Sequence, residues 1–364
     1  MAAKIYLIAA ARPNFMKIAP LWRALQEHAD YFTPYLIHTG QHYDRTMSEV
    51  FLRELGLPDP HVHLGVGSGT HAEQTGRVMM ALEKLCLNDR PDLVLVVGDV
   101  NSTMAATLAA KKLCIPVGHI EAGLRSRDWQ MPEEINRIVT DAVSDLLFTP
   151  SADADENLRA EGVAPERIYL VGNIMIDTLV QALPQAKSRE TCRLFGKQPR
   201  GYALITLHRP VNVDDPEALG GILARIQALD FPVVFPVHPR TRKVIEGSPL
   251  AASLARSESR IMLSDPLGYL DFLSLILNAR FVLTDSGGIQ EETTYLGIPC
   301  LTLRTTTERP ITITQGTNEL VTLADMQAQA ARILAGNWKQ GSRPPLWDGA
   351  TAPRIATVLK GWHA

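Results

Sequence analysis

One rhythm constrains this chain more than any other feature: short apolar runs rich in Val, Ile and Leu alternate with longer amphipathic segments from end to end. That alternation marks βα units wound around parallel sheets, whose strands are covered on both faces and so read as nearly continuous apolar runs. Strands are expected at Lys4–Ala10, Tyr35–His38, Leu93–Val97, Val117–Ile120, Leu146–Phe148 and Ile168–Val171, enough for one doubly wound domain. A second set, Ala203–Thr206, Val233–Pro236, Arg260–Leu263, Phe281–Leu283 and Cys300–Leu303, makes another of the same class. A chain of 364 residues is past the size at which a single core keeps growing, so two domains suit its length. The expected division is 1–172, 173–350 and a terminal stretch 351–364, whose helix, about Ala352–Lys360, packs back on the first domain. The fold class is α/β with two Rossmann-like domains. Ligands of such open sheets bind beyond the carboxyl ends of the strands, which two domains in tandem bring across one cleft.

Composition removes several classes of function. Apolar residues make up 46% and charged residues 21%, the balance of a globular protein and not of a disordered one. A net charge of −3 without any Lys/Arg block argues against a nucleic-acid surface. No apolar stretch approaches the ~20 residues that span a bilayer. Met1–Ala11 enters a strand-like run at once, with no cleavable apolar region, so no membrane partner and a cytoplasmic location are expected. Cys86, Cys114, Cys192 and Cys300 are widely spaced without a metal-ligand pattern and are read as buried thiols of a reducing compartment.

The chemistry-bearing motifs follow strands. In the first half, Ala11-Arg12-Pro13-Asn14-Phe15-Met16-Lys17 lacks the GxGxxG of dinucleotide folds but sets two cations beside a helix N-terminus, where anions are already favoured. Ordinary surface charges would look similar. Gly98-Asp99-Val100-Asn101-Ser102-Thr103 and His119-Ile120-Glu121-Ala122-Gly123-Leu124-Arg125 each place an acid at a strand end. Asp99 is either a helix cap or a carboxylate aimed into the cleft. Met131-Pro132-Glu133-Glu134-Ile135-Asn136-Arg137 opens a helix with acids in its first turn, which capping and the helix dipole also explain, and Glu133 could pair with Arg137 at i,i+4.

In the second half, Asp285-Ser286-Gly287-Gly288-Ile289-Gln290-Glu291-Glu292 leads from a strand into a helix. Its glycines allow close backbone approach and its free N–H groups suit a phosphate. Glu292 is better suited to accept hydrogen bonds from ribose hydroxyls. His208, in Thr206-Leu207-His208-Arg209-Pro210, and His238, in Pro236-Val237-His238-Pro239-Arg240, lie in loops at strand ends, where acid–base or phosphate roles fit.

Together these blocks resemble the non-hydrolysing UDP-N-acetylglucosamine 2-epimerase family, from Ile5 to about Leu320. The resemblance implies a GT-B-like fold with the active site in the interdomain cleft, and interconversion of UDP-GlcNAc and UDP-ManNAc. The implied route eliminates UDP to a 2-acetamidoglucal and re-adds it with C2 protonated on the opposite face, using no metal and no cofactor. It further implies a homodimer serving polysaccharide biosynthesis. By the same resemblance Asp99, Glu121, Glu133 and His208 are the catalytic candidates. Arg12, Lys17, Arg137, His238, Ser286, Gly287, Gly288, Glu292 and Arg309 are the substrate-binding ones, with Arg309 taken from the block Thr305-Thr306-Thr307-Glu308-Arg309-Pro310.

The chain also departs from the family. It reads ARPNFMK where many bacterial members have GTRPEAIK, and Pro-Val-Asn follows His208-Arg209 where they have Arg-Glu-Asn. The loop Thr39–Asp44 differs as well, beside the segments where some members bind a second UDP-GlcNAc as an activator. The same departures occur in relatives acting on UDP-2,3-diacetamido-glucuronic acid, the second candidate substrate, whose carboxylate needs a cation near C6. A GT-B glycosyltransferase would share the cleft but needs an acceptor site, of which the sequence shows no sign. A nucleotide-sugar sensor would have lost the acids, which are all present here.

Overall fold

The computed structural model describes residues 2–40, 52, 54–256 and 259–363. The chain forms two compact units, residues 1–178 with 345–364, and residues 179–344. Among the described residues, the first unit is built on seven parallel strands: β1 (Ala3–Ala9), β2 (Phe32–His38), β3 (Val62–His63), β4 (Leu93–Val97), β5 (Val117–Ile120), β6 (Leu146–Thr149) and β7 (Ile168–Leu170). Their order is β3-β2-β1-β4-β5-β6-β7. Leu-Val-Leu-Val-Val of β4 is buried at every position, as a strand between two helical layers must be. The second unit repeats the plan with β8 (Ala203–Thr206), β9 (Val233–Pro236), β10 (Ile261–Ser264), β11 (Phe281–Thr284), β12 (Cys300–Leu303) and β13 (Asn318–Val321), ordered β10-β9-β8-β11-β12-β13.

Both sheets therefore reverse their winding direction once, between β1 and β4 in the first unit and between β8 and β11 in the second. At such a switch point the loops leave toward opposite faces and open a crevice beyond the carboxyl ends of the strands. Ile5 to Ile8 of β1 pair in register with Leu93 to Val96 of β4. Phe281 to Thr284 of β11 pair with Ala203 to Thr206 of β8. The loops after these four strands, with the helices they lead into, carry most of the candidate residues.

Two strands go beyond the sequence expectation, and both are edges. β3 is two residues long and pairs only with Ile37 and His38. β13 reads Asn-Glu-Leu-Val with its middle half-exposed. An edge strand packs on fewer neighbours and so needs no apolar run to announce it. The cysteine reading needs a correction. Cys86, Cys192 and Cys300 are buried, but Cys114 is exposed, because the chain turns there in a left-handed conformation (φ +55°) just past the helix Asn101–Lys112.

The helix Thr351–His363 belongs to the first unit and packs along the helix Arg12–Gln26. Its start is held by Asp177, whose carboxylate accepts from Thr351 N at 3.1 Å and Ala352 N at 2.8 Å. Gly172 (φ +93°) makes room for this return, since a Cβ there would lie 2.2 Å from the Leu346 carbonyl oxygen. No helix among the described residues is long and apolar enough to cross a membrane.

Candidate active site

In the first unit the switch point is closed by side chains from three strand ends. Asn14, buried in the first turn of Arg12–Gln26, accepts from Ala10 N and Ala11 N at 3.1 and 3.0 Å and donates to the Val97 carbonyl at 3.1 Å, tying the end of β1 to the end of β4. One turn further along, Lys17 is buried against Glu121 and hydrogen-bonds its Oε2. Gly98, with φ +69°, lies beneath this pair; a Cβ there would stand 2.8 Å from Lys17 Nζ. Glu121 itself has φ +71°, a conformation that costs about 1–3 kcal/mol for a residue with a Cβ. Its second oxygen, Oε1, is buried without a hydrogen-bond partner among the described residues.

Asp99, beside Gly98, is partly exposed and receives Arg137 Nη1. Arg137 is buried and aimed by Glu134, which takes its Nε at 2.9 Å and its Nη2 at 2.6 Å. Glu134 also accepts from Ser126 N at 2.9 Å and Arg127 N at 2.7 Å. Burial works to raise the Glu134 carboxyl, but these donors hold it below the usual range. Arg137 thus pairs with Glu134 and Asp99 and not with Glu133, as the i,i+4 spacing had suggested, because Glu134 is the one of the two acids rotated inward. Glu133 instead lines a cavity of about 260 Å³ shared with His71, Gln74, Asn101 and Asn136. Asn136 donates to the Asp99 carbonyl at 2.8 Å, so the helix Pro132–Val143 is fastened to the end of β4.

In the second unit the switch point is closed by a His–Asp pair. Asp285, fully buried after β11, lies 2.8 Å from His208 Nδ1 and accepts from Arg209 N and Asn212 Nδ2, both at 2.9 Å. Burial would raise its carboxyl, yet the bonds from His208, Asn212 and Arg209 keep it low. With Nδ1–H donated to this carboxylate, Nε2 of the exposed His208 ring is left as the working nitrogen. Ser286 stands at the N-cap position of the helix Gly287–Leu296 without a side-chain bond to it, and the first-turn N–H groups have no partner within the helix. Gly287 is crossed by Arg309: a Cβ there would fall 2.5 Å from Arg309 Nη1. Arg309 is buried against Glu291, 2.6 Å from Nε, and Glu308. Gly288 follows in the same first turn.

Glu292 is buried with Oε1 taking the Tyr269 hydroxyl at 2.9 Å and Oε2 without a hydrogen-bond partner among the described residues. Burial, with Glu291 adding to it against the Tyr269 bond, pushes this carboxyl up to about 7. His238 caps the helix Pro239–Glu246, its Nδ1 accepting from Arg240 N at 3.2 Å.

The structure thus brings Lys17, Asp99, Glu121 and Arg137 into one connected group, with Glu133 on a helix fastened to it, and gathers His208, Ser286, Gly287 and Arg309 around the β8–β11 switch point. The Arg12 side chain and residues 41–44 of the Thr39–Asp44 loop lie outside the described residues. Sequence reasoning passed over Asn14, Glu134 and Asp285 as working residues. Among the described residues no group of three or more His, Cys, Asp or Glu could hold a metal ion.

The sequence profile of the UDP-N-acetylglucosamine 2-epimerases matches residues 23–360. The chain belongs to that family. It is 42% identical over 364 residues to the UDP-N-acetylglucosamine 2-epimerase of Methanocaldococcus jannaschii, covering 98% of each chain. It is also 42% identical over 362 residues to the UDP-2,3-diacetamido-2,3-dideoxy-D-glucuronate 2-epimerase of Pseudomonas aeruginosa, covering 98% of this chain and 99% of that one. Its structure superposes on the M. jannaschii UDP-GlcNAc 2-epimerase in complex with UDP-GlcNAc and UDP with a TM-score of 0.88 at 41% identity, covering 98% of this chain and 99% of that one. Membership of this family makes the chain an isomerase with two Rossmann-like, GT-B-like domains.

Proposed function

We propose that this protein interconverts UDP-GlcNAc and UDP-ManNAc. A carboxylate takes the C2 proton while the C1–O bond to UDP breaks, giving a 2-acetamidoglucal and free UDP. UDP then adds back to C1 as C2 receives a proton on the other face. The observation that carries this reading is Glu121, buried on a left-handed backbone, with one oxygen on Lys17 and the other without a partner among the described residues. Proton transfer at carbon needs such a fixed, open acceptor. Asp99 and Glu133 supply the further proton-handling groups that two faces require, and Arg137 orients Asp99.

The departing UDP is met by charge and dipole: Arg12 and Lys17 from the first unit, and from the second His208, as the imidazolium donating through Nε2–H, with the helix N-terminus at Ser286, Gly287 and Gly288. Glu292 receives the ribose hydroxyls, Arg309 props the phosphate-binding turn, and His238 flanks the diphosphate. In this reading residues 1–172 carry the proton-handling acids together with Arg12 and Lys17, and 173–350 the remaining UDP groups. The chain works as a cytoplasmic homodimer serving polysaccharide assembly, and light scattering of the purified protein tests the dimer.

Proton NMR of the protein with UDP-GlcNAc in deuterated water tests the reaction: UDP-ManNAc appears carrying deuterium at C2, and Glu121→Gln slows its appearance by on the order of 10²–10⁴-fold. A second substrate is favoured by one observation, the equal 42% identity to the UDP-2,3-diacetamido-2,3-dideoxy-D-glucuronate 2-epimerase. No turnover of UDP-GlcNAc together with epimerisation of that sugar would transfer the assignment.

A further inference from the structure

The left-handed backbone of Glu121 persists only where its surroundings over-determine it; Glu121 N and Ala122 N both donate to the Phe148 carbonyl at 3.1 Å, and one buried carboxylate adds the side-chain restraint. Asp141 Oδ1 lies 2.6 Å from His119 Nδ1, two residues before Glu121. Its Oδ2 accepts from Gly123 N, two residues after, at 3.0 Å, and from Arg125 Nη1 at 2.7 Å. Asp141 therefore grips the chain on both sides of the acid. His119 carries the grip to the next strand, its Nε2 donating at 2.8 Å to the carbonyl of Gly98, the residue before Asp99.

The bracing extends outward. Arg125 is held by Glu161 at 2.8 and 2.6 Å. Gly123 (φ +81°) packs so closely that a Cβ would fall 2.4 Å from the Ala154 carbonyl oxygen. Asp141 is 1% and His119 0% exposed, so neither reaches a substrate. Although burial works to raise the Asp141 carboxyl, His119 and Arg125 hold it below the ordinary range, which keeps it an acceptor. The helix Pro132–Val143 that carries Asp141 also carries Glu133 and Arg137, at i−8 and i−4, on one face.

We propose that Asp141, acting through His119 and Gly123, is the positioning residue that holds Glu121 and Asp99 in mutual register for proton transfer at C2. The inference rests on the reading of those two acids as the proton-handling groups. Asp141→Asn in the full chain keeps the shape of the side chain and removes its charge. On whichever of UDP-GlcNAc or UDP-2,3-diacetamido-glucuronate the wild type epimerises, kcat of the variant falls about 10²-fold, the cost of displacing a reacting group by roughly 1 Å. UDP affinity is unchanged.

Combined with Glu121→Gln, the substitution costs clearly less than the roughly 10²-fold it costs alone, because the part of its effect that runs through Glu121 is already lost. A crystal structure of Asp141→Asn shows Glu121 off its left-handed backbone and its carboxylate away from Lys17. A variant that melts earlier yet keeps its kcat below the melting range overturns the proposal, as does a double variant in which the two losses multiply in full. A wild type active on neither sugar sinks the functional reading instead, and the position of Glu121 in the crystal then decides the role of Asp141. Should Asp141→Asn not fold, His119→Asn, which loosens the tie to Gly98, is held to the same outcomes.

Discussion

Asp285 shows how a residue that touches no substrate can set what another does. Its carboxylate fixes the His208 ring by taking Nδ1–H, while Arg209 N and Asn212 Nδ2 fix the carboxylate. Asp285→Asn turns an amide donor toward Nδ1 and favours the other tautomer. We expect turnover to fall on the order of 10²–10⁴-fold, the usual worth of a positioned acid–base group, with UDP binding retained by calorimetry. Glu292 poses the opposite case, a residue kept at a cost to the fold. Its folded-state carboxyl sits at about 7, above an unfolded value near 4.3. Its contribution to stability is therefore fully present below pH ~4 and is lost as pH rises through 7. Glu292→Gln should raise the melting temperature at pH 8, by the equivalent of roughly 4 kcal/mol at most, make little difference at about pH 4, and weaken UDP binding. Equal melting temperatures of the two proteins at pH 8 would refute this.

Among the elements, the helix Pro132–Val143 separates its two adjacent acids by a rotation of about 100°. Glu134 is turned inward onto Arg137, and Glu133 faces a cavity. Arg137→Met leaves Glu134 buried without its cation and should cost about 3–5 kcal/mol in urea unfolding. Glu133→Gln should cost under about 0.5 kcal/mol, as partly exposed sites do, yet remove turnover. The rhythm of apolar runs was enough to place the interior strands of both sheets, because burial on two faces writes itself into composition. Edge strands β3 and β13 left no such mark. Nor could the sequence separate Glu133 from Glu134, since both satisfy the same capping pattern and only packing chooses between them. The His208–Asp285 pair joins loops 77 residues apart, a distance at which no local spacing rule operates, and Asp285 reads locally as part of a phosphate turn.

For the whole molecule, the connectivity matters most. Residues 179–344 form a unit of their own, while the first unit is completed only by 345–364. Excised, 179–344 should fold alone and show a cooperative thermal transition, having its complete six-stranded sheet. Residues 1–178 alone should not, because the helix Arg12–Gln26 loses the cover of Ala352, Ile355, Ala356 and Leu359 and Asp177 is left buried without the N–H groups it caps. A cooperative melt of 1–178 without the closing helix would contradict this.

The same return of the chain sets an order of events during synthesis. As the polypeptide leaves the ribosome, the inserted unit is finished while the unit that begins the chain still waits for its closing helix. Asp177, emerging early, spends that interval with no helix to cap. A chain that stops close to residue 344 would then carry a finished second unit tethered to an unsealed first one, a product for proteases to clear and not a slow enzyme.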